Sequence, residues 1–349
     1  MAKRKIYDDK KAAHIKYIMQ KALQSAKINF LIGSGASLPA IKVAGPIEQE
    51  IDKLFNADDI NGGNRKKHEF IQSVQKPITQ LLRNEANPDN DTVINNYGYL
   101  IHTLENVLIA RKTNLLPKQA TIFTTNYDLF IEKAAEDVPS LRLNDGFNRA
   151  PSLTNRFEFS PQNFFDSTFK SGNLYDYKVE LPAINLIKLH GSLSWKKNDS
   201  DILHRINSIE DLPPAPSDDD IKNYLEQFAI IFPQKHKYQK TVMDRIYYDL
   251  LRIYSNELDK NTTLLIAFGF SFADEHICDI TKRALKNPTL KMIIFAYSVD
   301  EAKRFDQTFS VYNNVDIIEP LDGENIDFDT FNSILAGSIN QSKEETNAD

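Results

Sequence analysis

Four short stretches carry the residue types that chemistry at a phosphate or a sugar needs. The first, Ile28-Asn-Phe-Leu-Ile-Gly-Ser-Gly-Ala-Ser37, is an apolar run that ends in Gly33, Ser34, Gly35, Ala36 and Ser37. Glycine at 33 and 35 permits positive φ and close approach of the backbone to a ligand, while Ser34 and Ser37 offer hydroxyls to a ligand or to a helix end. N–H groups at such a turn suit a diphosphate. The spacing is not the full dinucleotide fingerprint, and a tight strand-to-helix turn would use the same residues. The second stretch is Thr124-Thr-Asn-Tyr-Asp128. The Asn126 amide both donates and accepts, so it can hold a ribose hydroxyl or orient an attacking water; Asn126 or Asp128 can equally cap the helix that follows.

His190 ends a third apolar run, Ile184-Asn-Leu-Ile-Lys-Leu-His-Gly191. Among seven histidines it alone combines a strand end with a glycine-flanked turn, where a neutral imidazole can serve as a general base. His14, His68, His102, His204, His236 and His276 show no metal-ligand spacing. The fourth stretch, Gly269-Phe-Ser-Phe-Ala-Asp274, repeats the logic of the first, with Gly269 for close approach and the Ser271 hydroxyl for a ribose or phosphate. Capping of a helix by Ser271 or Asp274 is the competing reading.

The elements that must position these residues follow from hydrophobic period. Residues 12–26 place Ile15, Ile18, Met19, Ala22 and Ala26 on one helical face, and 28–32 reads as a buried strand. Helices are expected at 45–56, with Pro46 in the first turn, at 67–84 and at 94–111, the last capped by Asp91 or Thr92. Residues 57–66, with Gly62 and Gly63, read as a loop. Strand 120–126 and helix 128–136 form another strand-turn-helix unit. From 138 to 182, Pro139, Gly146, Pro151, Pro161, Gly172 and Pro182 break the chain into an irregular insertion, and 196–227 reads as a charged surface excursion. Strands at 228–233, 263–269, 292–297 and 315–318 alternate with helices at 239–259 and 300–309. The expected organisation is an N-terminal helix (1–27), a catalytic domain (28–335) with insertions at 38–118 and 138–182, and a disordered tail (336–349). Near-continuous apolar strands alternating with helices predict an α/β fold, a doubly wound, Rossmann-like parallel sheet. Ligands bind such sheets at the carboxyl ends of the strands, where all four stretches lie.

Composition narrows the function classes. At 349 residues and 41% apolar content, the chain can build one large α/β domain with insertions. A net charge of −6 argues against broad nucleic-acid binding, and Lys3, Arg4, Lys5, Lys10 and Lys11 read as a solvated end. The single cysteine, Cys278, reads as packing and excludes both an intrachain disulfide framework and a multi-cysteine zinc site. No apolar run reaches the roughly 18 residues of a membrane span, and the polar N-terminus lacks a signal-peptide core, so a cytoplasmic location is expected.

Taken in this order, Gly33-Ser-Gly-Ala-Ser37, Thr125-Asn-Tyr-Asp128, Lys188-Leu-His-Gly191 and Gly269-Phe-Ser271 resemble the sirtuin (silent information regulator) family. The resemblance implies NAD binding by Gly33, Ser34, Gly35, Ala36, Ser37, Thr125, Gly269 and Ser271. It also implies that Asn126 and Asp128 lie beside the nicotinamide ribose and that His190 is the catalytic base. Two departures stand out. Sirtuin deacylases carry a four-cysteine zinc ribbon after the histidine-glycine pair, whereas residues 192–262 contain no cysteine. The family's Asp-Phe-Arg element is replaced by Leu38-Pro-Ala-Ile-Lys-Val-Ala-Gly45.

What remains resembles the bacterial anti-phage NAD hydrolases, which cleave NAD to nicotinamide and ADP-ribose. NAD is then substrate rather than resident cofactor, and no zinc is expected. Loss of nicotinamide leaves an oxocarbenium-like ribose, so the site must hold the ribose, position water and stabilise charge. The same resemblance implies a homo-oligomer gated by a separately encoded HerA-type ATPase, with neither nucleic acid nor membrane as a direct partner. An NAD-dependent protein-lysine deacylase and a non-catalytic NAD or ADP-ribose sensor are the alternatives.

Overall fold

A computed structural model describes the chain except for residues 9–10, 44, 112–115, 149–156, 173–177, 199–200, 205–211, 213–215, 233–241 and 346–349. In chain order the first elements are β1 (Lys3–Ile6), α1 (Ala12–Ser25), β2 (Lys27–Ile32), α2 (Gly45–Asn56), α3 (Ile60–Leu82) and α4 (Pro88–Ala110). Next come β3 (Gln119–Thr124), α5 (Phe130–Glu136), β4 (Arg142–Asn144), β5 (Phe169–Ser171), β6 (Lys178–Glu180) and β7 (Ala183–Lys188). They are followed by β8 (Gly191–Asn198), β9 (Asp201–His204), α6 (Asp218–Gln227), β10 (Phe228–Ile230) and α7 (Val242–Asp259). The chain closes with β11 (Thr263–Phe268), α8 (Glu275–Ala284), β12 (Leu290–Phe295), α9 (Val299–Phe309), β13 (Val315–Glu319) and α10 (Phe328–Glu345).

Eight strands form one sheet in the order β1-β13-β12-β11-β2-β3-β7-β4, and every neighbouring pair is parallel. This is the doubly wound, Rossmann-like α/β architecture that the strand pattern predicts. The pleat explains it: alternate residues of the same strand feed two different cores. Ile28, Phe30 and Ile32 join Ile122, Ile266, Met19 of α1, Leu104 of α4 and Phe331 of α10. Leu31, Phe123 and Leu265 join Leu250 and Tyr254 of α7, Ile277 of α8 and Phe305 of α9 on the opposite face. From β2 the chain builds outward through β3 and β7, then returns to place β11 against the other side of β2. That reversal makes a topological switch point, the place at the carboxyl ends of the strands where sheets of this kind bind ligands.

Several expectations change. Of the basic N-terminus, Lys3 and Lys11 are exposed and Lys10 lies outside the described residues, but two cations are not simply solvated: β1 is a parallel edge strand whose Arg4 pairs with Glu319, and Lys5 lies 2.6 Å from Asp316. These cations neutralise two nearly buried carboxylates on β13. The loop expected at 57–66 becomes helix from Ile60, because Asp59 caps it through the Gly62 N–H and Gly63 sits against the Phe55 ring. The cap of α4 is Asn87, with Pro88 in the first turn, rather than Asp91 or Thr92. Within 196–227, β8, β9 and α6 replace a surface excursion, and Ile221, Tyr224 and Leu225 are buried. β10 pairs antiparallel with β8 in a separate three-stranded sheet rather than joining the parallel one. Where a disordered tail from 336 was expected, α10 continues to Glu345 and packs on α1 and α4, burying Ile334, Leu335 and Ser338; residues 346–349 lie outside the described residues.

Gly98 lies inside α4 with nothing within 4 Å of an added Cβ. Gly98→Ala is expected to stabilise the fold by about 0.5–1 kcal/mol through helix propensity, read as a raised urea midpoint with unchanged slope.

Candidate active site

β11, β2, β3 and β7 are consecutive neighbours in the sheet, so the four sequence stretches emerge side by side at its carboxyl edge. The Gly33–Ser37 turn and the turn after β11 are joined backbone to backbone. Gly33 N–H donates to Phe268 O at 3.1 Å and Gly35 N–H to Gly269 O at 3.0 Å. A Cβ on Gly33 would stand 2.4 Å from Gly269 O, and one on Gly269 would stand 2.6 Å from Ala36 N. Only Gly269 of this seam has positive φ, +63°, whereas Gly33 is extended at −109°. The glycines are therefore required by the approach of one turn to the other, and two of the N–H groups expected to face a diphosphate are already engaged.

Ser37, Asn126 and Asp128 form one buried cluster. Asn126 Nδ2 donates to Gly33 O at 3.0 Å and to Ser37 Oγ at 3.1 Å, and Ser37 Oγ donates to Asp128 Oδ2 at 2.7 Å. A carbonyl oxygen can only accept, so the Gly33 contact fixes which way the Asn126 amide faces. Its Oδ1 is then turned away, buried, and without a hydrogen-bond partner among the described residues. Asp128 spends its other oxygen on the Phe130 N–H at 3.3 Å, making it a helix-start acceptor as well as the anchor of Ser37. Both Ser37 and Asp128 thus act on Asn126 from behind. Tyr97 of α4 reaches Ser37 Oγ at 3.5 Å, and burial together with the Asp128 charge holds its phenol well above the usual range.

His190 sits in the two-residue turn between β7 and β8. Its Nε2 lies 3.0 Å from Asp274 Oδ2, and Asp274 Oδ1 caps α8 through the Ile277 N–H at 3.0 Å. The Tyr127 and Tyr247 rings flank the imidazole, with centroids 6.4 and 6.1 Å away. Burial pushes the Asp274 carboxyl up, but the hydrogen bond and charge of His190, aided by the Ile277 N–H, outweigh it and hold the group below its ordinary range. Thr125, Ser34 and Gly269 are half-buried at the same edge, Ala36 is fully buried, and Ser271 is exposed and accepts from the Ala273 N–H at 3.3 Å.

Below the cluster, Lys188 is buried on β7, donates to Asp128 O and lies 2.8 Å from Glu132 Oε1. Burial raises the Glu132 carboxyl pKa, and the Lys188 charge and hydrogen bond oppose that rise. Sequence reasoning passed over Lys188, Glu132, Tyr97 and the pairing of Asp274 with His190. A lysine inside an otherwise apolar strand run was a readable signal; the partners of Tyr97 and Asp274 lie far away in sequence and left none.

With this geometry established, comparison with known families becomes decisive: a model of the SIR2-like domain matches residues 120–318, more than half of the chain. The chain belongs to the SIR2-like family. The matched span runs from β3 to β13 and contains Thr125, Asn126, Asp128, His190, Gly269 and Ser271, while Gly33–Ser37 lies outside it. A search of curated proteins gives no match. Membership is consistent with NAD-related chemistry in this SIR2-like chain, and among the described residues no group of histidine, cysteine and carboxylate side chains is arranged to hold a metal ion. No helix among the described residues is long and apolar enough to cross a membrane.

Lys188→Met should cost about 3 kcal/mol, because it strands a buried carboxylate, and adding Glu132→Gln should restore part of the loss; urea denaturation of the single and double variants measures both. The lowered Asp274 carboxyl implies stability that is present above the ordinary carboxylate pKa and is lost as pH falls through the folded-state value. The difference in urea midpoint between the native chain and Asp274→Asn is therefore expected to narrow below about pH 4.

Proposed function

We propose that this SIR2-like protein hydrolyses NAD to nicotinamide and ADP-ribose. The observation that carries the reading is the orphaned Asn126 Oδ1, a buried acceptor held in a fixed orientation at the switch-point edge. A buried acceptor without a donor costs free energy, roughly 1–3 kcal/mol, unless a ligand or water completes it. A ribose hydroxyl or an attacking water supplies the missing donor, and His190, on the next strand end, takes the proton. Asp128 positions Asn126 through Ser37. Ser34, Thr125 and Ser271 supply hydroxyls for the ribose and diphosphate, and the Gly33–Gly269 seam keeps the turn backbones close to them. With one cysteine in the whole chain, the zinc ribbon that frames a peptide-lysine cleft has no ligands, which favours water over an acyl-lysine as the acceptor.

Unregulated destruction of NAD would poison the host cell. The resemblance to anti-phage effectors supports a role in abortive defence, with activity released by a separately encoded HerA-type ATPase in a larger oligomer.

The test is NAD consumption by the full chain, alone, with the ATPase, and with an acyl-lysine peptide. Nicotinamide release without peptide is expected, and Asn126→Ala and His190→Ala should each lower it by about a hundredfold or more while still folding, as shown by a cooperative urea transition. Native rates in both folded variants would overturn the assignment, and turnover only with peptide would make the protein a deacylase.

A further inference from the structure

The contact between His190 and Asp274 determines more than the placement of a ring. A carboxylate can only accept, so Nε2 carries a hydrogen toward Asp274 Oδ2 at 3.0 Å. Nδ1 makes no hydrogen bond within the described residues. Asp274 is itself held, since its second oxygen caps α8 through Ile277, so the carboxylate cannot rotate away without uncapping a helix that is part of the core. Among the described residues, the groups placed against the imidazole are Tyr127 after β3, Tyr247 of α7 and Asp274 at the start of α8; His276, one residue into the same helix, acts on Asp274.

We propose that Asp274 is the positioning residue for His190, locking the Nε2–H tautomer so that Nδ1 is the nitrogen that accepts the proton. This rests on the NAD hydrolase reading for its catalytic consequence, but the tautomer itself does not. In that reaction water adds to the ribose carbon as the bond to nicotinamide breaks, the electron pair of that bond leaves with nicotinamide, and one proton of the water passes to Nδ1, either directly or through a ribose hydroxyl that gives up its own proton and takes the water's. The imidazolium so formed is stabilised by the carboxylate beside Nε2 and returns its proton to solvent when the product leaves. His190 thereby becomes sensitive to the position of α8, whose N-terminus carries the carboxylate.

Asp274→Asn is the discriminating variant. The asparagine oxygen can keep the Ile277 cap, which turns the amide NH₂ toward His190 Nε2 and requires that nitrogen to accept. Histidine-labelled full-length protein, with His190→Ala used to assign the resonance, is followed by nuclear magnetic resonance across pH. The native chain is expected to show His190 as the Nε2–H tautomer. Asp274→Asn is expected to show the Nδ1–H tautomer. Asp274→Ser keeps a capping oxygen without a carboxylate and should likewise release His190 from the Nε2–H tautomer, which covers failure of the asparagine variant to fold. In NAD hydrolysis by the same variants, kcat should fall about a hundredfold with KM little changed. An unchanged His190 tautomer in folded variants would overturn the inference. Absence of NAD turnover with a normal tautomer switch would overturn the functional reading and leave the His190–Asp274 coupling standing.

Discussion

Everything at the carboxyl edge of this sheet depends on two backbone turns lying close enough to bond. Gly35 N–H reaches Gly269 O, Gly33 N–H reaches Phe268 O, and neither Gly33 nor Gly269 leaves room for a Cβ. This seam ties the end of β2 to the end of β11, on either side of which the chain's direction of travel across the sheet reverses. A side chain at either glycine would push the turns apart. The carboxyl edge would then lose the contact that holds Asn126, since Asn126 is oriented by the carbonyl of Gly33. A feature that looks like a ligand-binding loop is thus first a structural joint, and its value to a ligand comes from the geometry that the joint imposes on its neighbours.

Behind the joint, polar groups are arranged in a chain that ends on one unsatisfied atom. Lys188 bonds the Asp128 carbonyl and pairs with Glu132, Asp128 accepts from Ser37, and Ser37 accepts from Asn126. In a low-dielectric interior each of these bonds is stronger than in water, and each unmade bond is costlier. Apart from Glu132 Oε2 at its far end, the network leaves only Asn126 Oδ1 without a partner among the described residues, so it is rigid and directional. Such preorganisation is what electrostatic catalysis requires, because the dipole is already in place before charge develops on the substrate.

The second half of the site is tied to a different part of the fold. His190 belongs to the β7–β8 turn, whereas its partner Asp274 caps α8 on the face built from α7, α8 and α9. Asn126 and its supports belong to the opposite core, with α4 and α5. The two cores are separated by the sheet, and the candidate chemistry lies where both reach its edge. Movement of one helical layer relative to the other would therefore be felt between Asn126 and His190.

The sequence by itself determined the strand-helix alternation, the doubly wound sheet and the four strand ends at which chemistry was sought, because apolar period and glycine placement are local signals. It also excluded a cysteine zinc site, since the ligands are absent. It misjudged segments whose fate depends on distant partners. The basic residues of β1 become ordered only because Asp316 and Glu319 are buried more than three hundred residues away, and α10 is held by α1 and α4 rather than by its own weak amphipathicity. Ser37 and Asp128 each carried a ligand reading and a helix-cap reading, and only the tertiary structure shows the hydrogen bonds by which they support Asn126, because their partners come from separate strand ends. The pairing of His190 with Asp274 likewise belongs to the fold alone. Eighty-four residues of chain separate them, and no periodicity records a hydrogen bond across that distance.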